Sequence, residues 1–361
     1  MGRTVRSLLA CLLCVALVLP CLVPVAAAEQ TETPEAIQCA DFNEAAEVLR
    51  TNMAQRQPVV AISLLREDSE TTIKKELLNA AFAHTGVPNQ GDYLYWHMKK
   101  CSVKSQVLAL ADGKYELTLT YTLTYRSTPE QEAQVDTAVQ TLLDQLNVYS
   151  ASDYEKVCAI YDYICENVKY DTTGVIFGDP LIYTCYGALI RKSAVCQGYA
   201  LLFYRLALEL GVDARIISGI GRKQSHGWNI VRLSGKYYNL DSTWDSTCAQ
   251  NGQLYQYFLR CDADFTEHSR DEAYSTELFY KTYPMANTNY DATALPLRGD
   301  LTGDELVTED DVVYLLQYVL MSDDFPVGQS VDMDKNGQVD EMDAIYLLHH
   351  ILMPEHFPLE A

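Results

Sequence analysis

Cys196 sits in SAVCQGYALL, between small residues and at the head of a helical run. A cysteine acts as a nucleophile only beside a base that takes its proton and a group that orients the base. The first turn of a helix assists, since it lowers a thiol pKa and offers free N–H groups to a developing oxyanion. His226 opens the strand-like HGWNIVRL, and Asp241 follows KYYNL on the far side of Ser234-Gly235. If Leu233 pairs with Lys236, residue 226 faces residue 243, and Asp241 is the diagonal neighbour of His226 on one sheet face. Cys, His and Asp in that order, the last two coupled across a hairpin, suit a nucleophilic site. Each residue also has an ordinary reading: a buried structural thiol, a histidine starting a strand, a polar strand end. Gly198 and Ala200 leave room for a substrate, and serve helix packing equally well.

The elements that must hold these side chains follow from periodicity. FNEAAEVLRTNM reads as helix, QPVVAISLL as strand, and SETTIKKELLNAAFAHTG as helix with a glycine stop. SVKSQVLALADGKYELTLTYTLTY alternates on both sides of Asp112-Gly113, the signature of a hairpin. Helical period returns over Pro129–Leu146 and Ser152–Val168, and again over Ala194–Leu210 with Gly211 as its stop. In the second of these, Tyr154, Val157, Cys158, Tyr161 and Cys165 share a stripe that reads as core. Ala214–Ser218 reads as strand, ahead of the Ser234-Gly235 hairpin. Strands packed on helices make an α+β domain, which closes near Tyr290, with a short linker at 291–298.

Composition narrows the setting. The chain has 361 residues and a formal net charge of −22, without a cluster of basic and aromatic residues, which argues against nucleic acid or anionic membrane as partners. Its first 28 residues carry Arg3 and Arg6, an apolar Leu8–Leu19 and Ala26-Ala27-Ala28, the layout of a cleaved signal peptide. Pro20 and Pro24 interrupt the apolar run, and Pro20 sits poorly before a lipid-bearing Cys21. The expected mature protein is secreted, free of the membrane after cleavage, and acts outside the cell or on its surface. Of 11 cysteines, Cys11, Cys14 and Cys21 would leave with the signal. The even remainder admits disulfides, but irregular spacing and a chain long enough to build a core speak against a stapled scaffold.

The C-terminal region repeats itself. DLTGDELVTEDDVVYLLQYVLM begins at Asp300 and DMDKNGQVDEMDAIYLLHHILM at Asp332, each an acidic loop followed by an apolar helix. In the second copy Asp332, Asp334, Asn336, Gly337, Asp340 and Asp343 occupy EF-hand loop positions 1, 3, 5, 6, 9 and 12, with Gln338 offering its carbonyl at position 7. The first copy keeps Asp300, Asp304 and Asp311 at positions 1, 5 and 12, with Thr302 at 3 and Leu306 at 7. Glu305 replaces the glycine there, which costs about 1 kcal/mol if φ must be positive. Two calcium sites are expected, the second the tighter.

Two resemblances follow from these motifs. SAVCQGYA, HGWNIV and NLDSTWD, with YEKVCAIYDYICENVKYD and CYGALI upstream, resemble the transglutaminase-like superfamily of papain-like cysteine enzymes over about 152–290. That resemblance implies an α+β, papain-like fold in which a nucleophile helix packs on an antiparallel sheet. It makes Cys196 the nucleophile, His226 the base and Asp241 its orienter. Trp228 and Trp244 would frame the site, with Tyr186 and Gln197 as oxyanion or substrate contacts, and catalysis would need no cofactor. Residues 29–151 would be an α+β extension. The loop–helix repeat over 299–361 resembles a type I dockerin, a small all-α module that folds around two calcium ions and docks on a cohesin module of a scaffoldin, as in cellulosomes. Loop positions 10 and 11, often Ser-Thr in that family, are Glu309-Asp310 and Glu341-Met342 here.

The expectation is a secreted, dockerin-borne cysteine acyl-transfer enzyme acting on protein or peptide, with hydrolysis favoured over amine cross-linking. A non-catalytic assembly component is the alternative of a different class. A glycoside hydrolase has less support, because no pair of carboxylates stands out.

Overall fold

The computed structural model describes residues 34–249, 255–293, 298–302, 306–322, 325, 327 and 331–359. The expected signal peptide, Asp304, Glu305 and half of the linker (294–297) lie outside these residues. Among the described residues no helix is long and apolar enough to cross a membrane.

The mixed α/β architecture begins with a sheet that has its own core. β1 (Ile37–Cys39), α1 (Phe42–Ala54), β2 (Val59–Arg66), α2 (Ile73–Ala81), α3 (Asp92–His97), β3 (Met98–Ala109) and β4 (Tyr115–Tyr125) follow in order. The sheet order is β1-β2-β4-β3, parallel only between β1 and β2. The β3–β4 turn falls at Asp112-Gly113 as expected: Gly113 takes φ +88° and Asp112 accepts from the Lys114 N–H. Leu49, Met53 and Leu77 from α1 and α2 pack on Ile62, Leu119 and Tyr121, all fully buried.

The second core carries the site. α4 (Pro129–Leu146) and α5 (Asp153–Asn167) both start with reciprocal caps, Thr128 with Gln131 and Ser152 with Glu155. After β5 (Lys169–Tyr170), α6 (Thr172–Phe177), α7 (Cys185–Leu189) and β6 (Ser193–Ala194) comes α8 (Cys196–Glu209), which is buried on all sides from Gly198 to Leu208. A helix apolar all round belongs at the centre of a domain. β7 (Ala214–Gly221), β8 (Gln224–Leu233) and β9 (Lys236–Leu240) then form an antiparallel sheet, followed by α9 (Ser242–Ala249). β10 (His268–Arg270) adds to the β7 edge, giving the order β10-β7-β8-β9, and α10 (Glu277–Thr282) lies beyond it.

Both faces of this sheet are covered, and strand alternation assigns the sides. Ala214, Ile216, Val231 and Leu240 face α8 and the helical core, while Ile217, Trp228 and Ile230 face Phe265 and Phe279. α4 packs in the same core as α5 and α8, on the far side of the boundary expected at 151.

A buried polar cluster joins the two sheet units. Glu132 on α4 accepts from Tyr93 Oη at 2.8 Å and Ser127 Oγ at 2.5 Å, and lies 3.0 Å from the Arg56 guanidinium. Burial opposes the charge on Glu132, but His97, Arg56 and these donors hold its pKa at about 2. The eight described cysteines are free thiols. At the C-terminus α11 (Glu309–Leu320) and α12 (Glu341–Leu352) repeat one pattern, with Asp311, Val312 and Leu315 buried like Asp343, Ala344 and Leu347.

Candidate active site

The carboxylate of Asp241 organises the site. β9 stops at Leu240, so the expected pairing of positions 226 and 243 does not form and STWD is helical rather than strand. Asp241 instead caps α9, its Oδ1 accepting from the N–H groups of Thr243 at 2.9 Å and Trp244 at 3.2 Å. A carboxylate at this place satisfies N–H groups that have no helical partner. Oδ2 then meets β8, and His226 donates to it from Nε2 at 2.7 Å. The expected His–Asp couple forms through a helix cap rather than a strand diagonal.

Cys196 is the first residue of α8, as the sequence indicated. Val195 provides no side-chain cap, and the N–H groups of Gly198 and Tyr199 fold back on its carbonyl at 2.8 and 3.2 Å. The N–H groups of Cys196 and Gln197 belong to the first turn, where helices leave donors for an oxyanion. The Cys196 thiol lies close enough to the His226 ring to favour its protonated form. With Nε2 given to Asp241, Nδ1 is the nitrogen left for sulfur. Burial disfavours charge on His226, but Asp241 and Cys196 outweigh it and lift its pKa to about 10. Asp241 is buried too, yet its histidine partners hold it down to about 2. At neutral pH the pair is a carboxylate and an imidazolium.

The surrounding residues divide between roof and support. Trp244 stacks over His226 with centroids 4.9 Å apart and 24° between planes, and Arg222 lies over the Trp244 ring at 4.2 Å. Trp228 is 1% exposed and donates from Nε1 to Asn239 Oδ1, so it backs the histidine and is closed to substrate. The Gln197 side chain turns away from the thiol's surroundings to two backbone carbonyls. Its Nε2 is taken by the carbonyls of Trp96 at 2.7 Å and Tyr183 at 3.0 Å, which pins the nucleophile turn to α3 of the first unit. Next to it His97 accepts the Cys185 N–H at 3.4 Å, and burial keeps this histidine neutral with a pKa of about 4. Gly198 is a packing residue, since a Cβ there would come within 2.8 Å of the Ile182 carbonyl. Tyr186 packs, partly buried, against the helical core. Tyr170, 48% exposed on β5, was not singled out by the sequence; burial raises its pKa, and the charge of Cys196 adds to that.

His268 is the larger omission. It donates from Nε2 to the same Asp241 Oδ2 at 3.0 Å, and its side chain is 1% exposed. Its place on β10, opposite Gly221, brings it in from 27 residues beyond Asp241. His226 lies opposite Gly219 on the other edge of β7. Gly219 and Gly221 share one strand face and leave it bare, which lets two rings on flanking strands converge over it. Glycines spaced by two in SGIG were the available sequence signal.

The C-terminal loops form a separate site. Carboxylate oxygens of Asp332, Asp334 and Asp343 lie within 4.8 Å of one another. Gly337 takes φ +87° and donates its N–H to Asp332 Oδ2 at 2.9 Å, as the sharp turn requires. Asp332 Oδ1 is buried with no hydrogen-bond partner, an acceptor that a cation would satisfy. These residues fit a calcium ion, with Asn336 and the Gln338 carbonyl completing the loop and Asp340 capping α12. In the first loop Asp311 gathers the N–H groups of Leu301 and Thr302 at 2.8 and 2.9 Å, and the Thr302 hydroxyl bonds the same oxygen.

Comparison with known proteins bears on the region that carries Cys196, His226 and Asp241. Residues 140–242 match the transglutaminase-like superfamily. Kyphoscoliosis peptidase of Mus musculus is 29% identical over 155 residues, covering 38% of this chain and 23% of the relative. The Homo sapiens protein is 28% identical over 134 residues, covering 34% of this chain and 20% of the relative. The chain thus spans under a quarter of the length of these relatives. Among solved structures, a TGase covers 58% of this chain and 60% of its own at TM-score 0.30 and 15% identity. A candidate cysteine protease from Cytophaga hutchinsonii covers 41% of this chain and 66% of its own at TM-score 0.25 and 17% identity. Residues 140–242 are thus similar to a transglutaminase-like superfamily domain.

Proposed function

We propose that the protein is a cysteine-dependent acyl-transfer enzyme with Cys196 as nucleophile, His226 as base and Asp241 as the group that orients the base. The observation that carries this reading is the continuous contact from Cys196 at a helix N-terminus to His226 and on to Asp241 at 2.7 Å. His226 holds, as imidazolium, the proton given up by the thiol, and sulfur bonds to an amide carbon, placing negative charge on the carbonyl oxygen near the first-turn N–H groups of α8. The C–N bond then breaks and the leaving amine takes the proton from His226. Water, deprotonated by His226, attacks the thioester, and the C–S bond breaks to return the thiol. An amine in place of water would give cross-linking. Hydrolysis is the favoured outcome because the relatives matched over this region are named peptidases.

In this reading residues 299–361 are a dockerin that holds calcium and docks on a cohesin of a scaffoldin outside the cell, after loss of the N-terminal signal. The orphaned Asp332 Oδ1 supports the ion. Supporting the docking, α11 and α12 expose matching apolar side chains, Val313 with Ile345 and Leu320 with Leu352. Calcium would serve folding of this module, and no catalytic step involves it.

The test is mass spectrometry of a peptide library incubated with mature protein, calcium and a primary amine. Cleavage is expected, and it should vanish in Cys196→Ala. Amine incorporation would replace hydrolysis with cross-linking, and no mass change with any peptide would count against an enzyme.

A further inference from the structure

We propose that His268 is a positioning residue for the triad, assigning Asp241 a single lone pair with which to hold His226 and limiting the carboxylate charge that His226 feels. This rests on the reading of Cys196, His226 and Asp241 as the reacting set.

A carboxylate offers about four acceptor directions, and Asp241 fills four. Thr243 and Trp244 N–H groups take Oδ1, while His226 and His268 share Oδ2 at 2.7 and 3.0 Å. With one direction of Oδ2 occupied by His268, the other is the direction left for His226. The His226 ring plane is thereby fixed, and with it the direction of Nδ1 toward sulfur. A second donor on one oxygen also spreads its charge, so His226 binds its proton less tightly than it would alone.

His268 is built for this part. Phe265 stacks on its ring at 3.8 Å and 16°, and Trp244 and Trp228 lie at 4.2 and 4.9 Å. This aromatic box disfavours a second positive charge beside His226, and burial lowers the His268 pKa. The neutral ring carries its proton on Nε2, which faces Asp241, while Nδ1 is buried without a partner. An unpaired lone pair there is tolerable where an unpaired N–H would be costly, so the surroundings select one tautomer.

Other ionisable groups near the pair form a constant background. Asp245 on α9, Tyr170 on β5 and the buried Tyr161 and Cys165 of α5 act on or beside Asp241. Glu267, paired with Arg222 from the β7–β8 turn, precedes His268, and the Asp241 charge also reaches Tyr199 on α8. Among these groups Glu267 is the one whose charge His268 itself helps to stabilise, and both His268 variants lose that help alike.

The test is the pH profile of Cys196 alkylation by iodoacetate, read by peptide mapping in wild type, His268→Phe, His268→Gln and His226→Ala. An anionic reagent responds to the thiolate and to the imidazolium beside it, so the basic limb reports loss of the His226 proton. His268→Phe keeps the box filled but removes the donor. Its basic limb should move up by about one pH unit, roughly 10-fold in proton affinity, with a rate at neutral pH about 10-fold or more below wild type from lost ring alignment. Glutamine keeps an N–H near the Nε2 position and should restore both toward wild type. Unchanged profiles in both variants, or equal losses in both, would overturn the proposal. If His226→Ala alkylates like wild type, the triad reading fails and His268 falls with it. If only the His268 variants behave unexpectedly, the triad stands without this fourth member.

Discussion

His226 Nε2 and Asp241 Oδ2 lie 2.7 Å apart although Asp241 lies past the end of β9 and no strand pairing joins the two positions. The β8–β9 register begins at Leu233 with Lys236 and ends at Asn229 with Leu240. Beyond it the chain turns into a helix, and the carboxylate that caps this helix is the one that holds the base. One side chain thus both caps a helix and holds His226, and its substitution disturbs both.

Linkage gives this pair a pH signature. His226 rises from 6.5 to about 10 on folding, so its contribution is complete below pH 6.5 and fades as pH climbs through about 10. Asp241 falls from 3.8 to about 2, so its contribution is complete above pH 3.8 and fades as pH drops through about 2. The melting temperature of wild type minus that of His226→Gln should be largest between pH 4 and 6.5 and shrink toward pH 10. Taking a difference cancels the opposite trend of His97, which both proteins share. A gap that widens with rising pH would contradict the assignment.

Gly221 is the next point of attack. A Cβ there would lie 2.9 Å from the Trp244 ring and 3.0 Å from the His226 ring. Gly221→Ala should destabilise by about 1–3 kcal/mol, and its loss of Cys196 reactivity should exceed what the fall in melting temperature explains. A variant with normal reactivity would show that the bare face of β7 has no part in placing the rings.

The first sheet unit should matter to the site through Gln197. Gln197→Ala removes both buried bonds, to Trp96 O and Tyr183 O. It should cost about 1–3 kcal/mol and slow the Cys196 reaction while leaving α11 and α12 unaffected. Hydrogen exchange and alkylation on one sample would check this. Full reactivity would mean that the nucleophile turn is rigid without the first unit.

Calcium removal should act on the other end. A chelator should lower exchange protection of α11 and α12, and Asp332→Ala should weaken the response to added calcium, with Cys196 chemistry unchanged. Equal protection with and without calcium would contradict the metal reading.

Much of this was legible because it is local. Hairpin turns, capped helices and the duplicated acidic loop each declare themselves within a few residues. Cys196, His226 and Asp241 were legible because their order and the Leu233–Lys236 turn brought them within reach of each other, even with the wrong final geometry. His268 was not, because an edge strand added after a long connection has no local cue to its partner. For Trp228, expected to frame the site, and Gln197, expected as an oxyanion or substrate contact, sequence places the residue near the chemistry but not which way its side chain faces. Alternation on β8 buries the first, and carbonyls from two distant segments engage the second.

The central claim, that Cys196 is an activated nucleophile, is tested most directly by iodoacetamide alkylation at pH 7, with the rate of each thiol measured by peptide mapping. Cys101, Cys158 and Cys248 are partly exposed like Cys196 and serve as internal controls for access. Cys196 should react at least 10-fold faster than these three, and His226→Ala should remove the advantage. Equal rates at the four partly exposed cysteines, or an advantage that survives His226→Ala, would contradict the account.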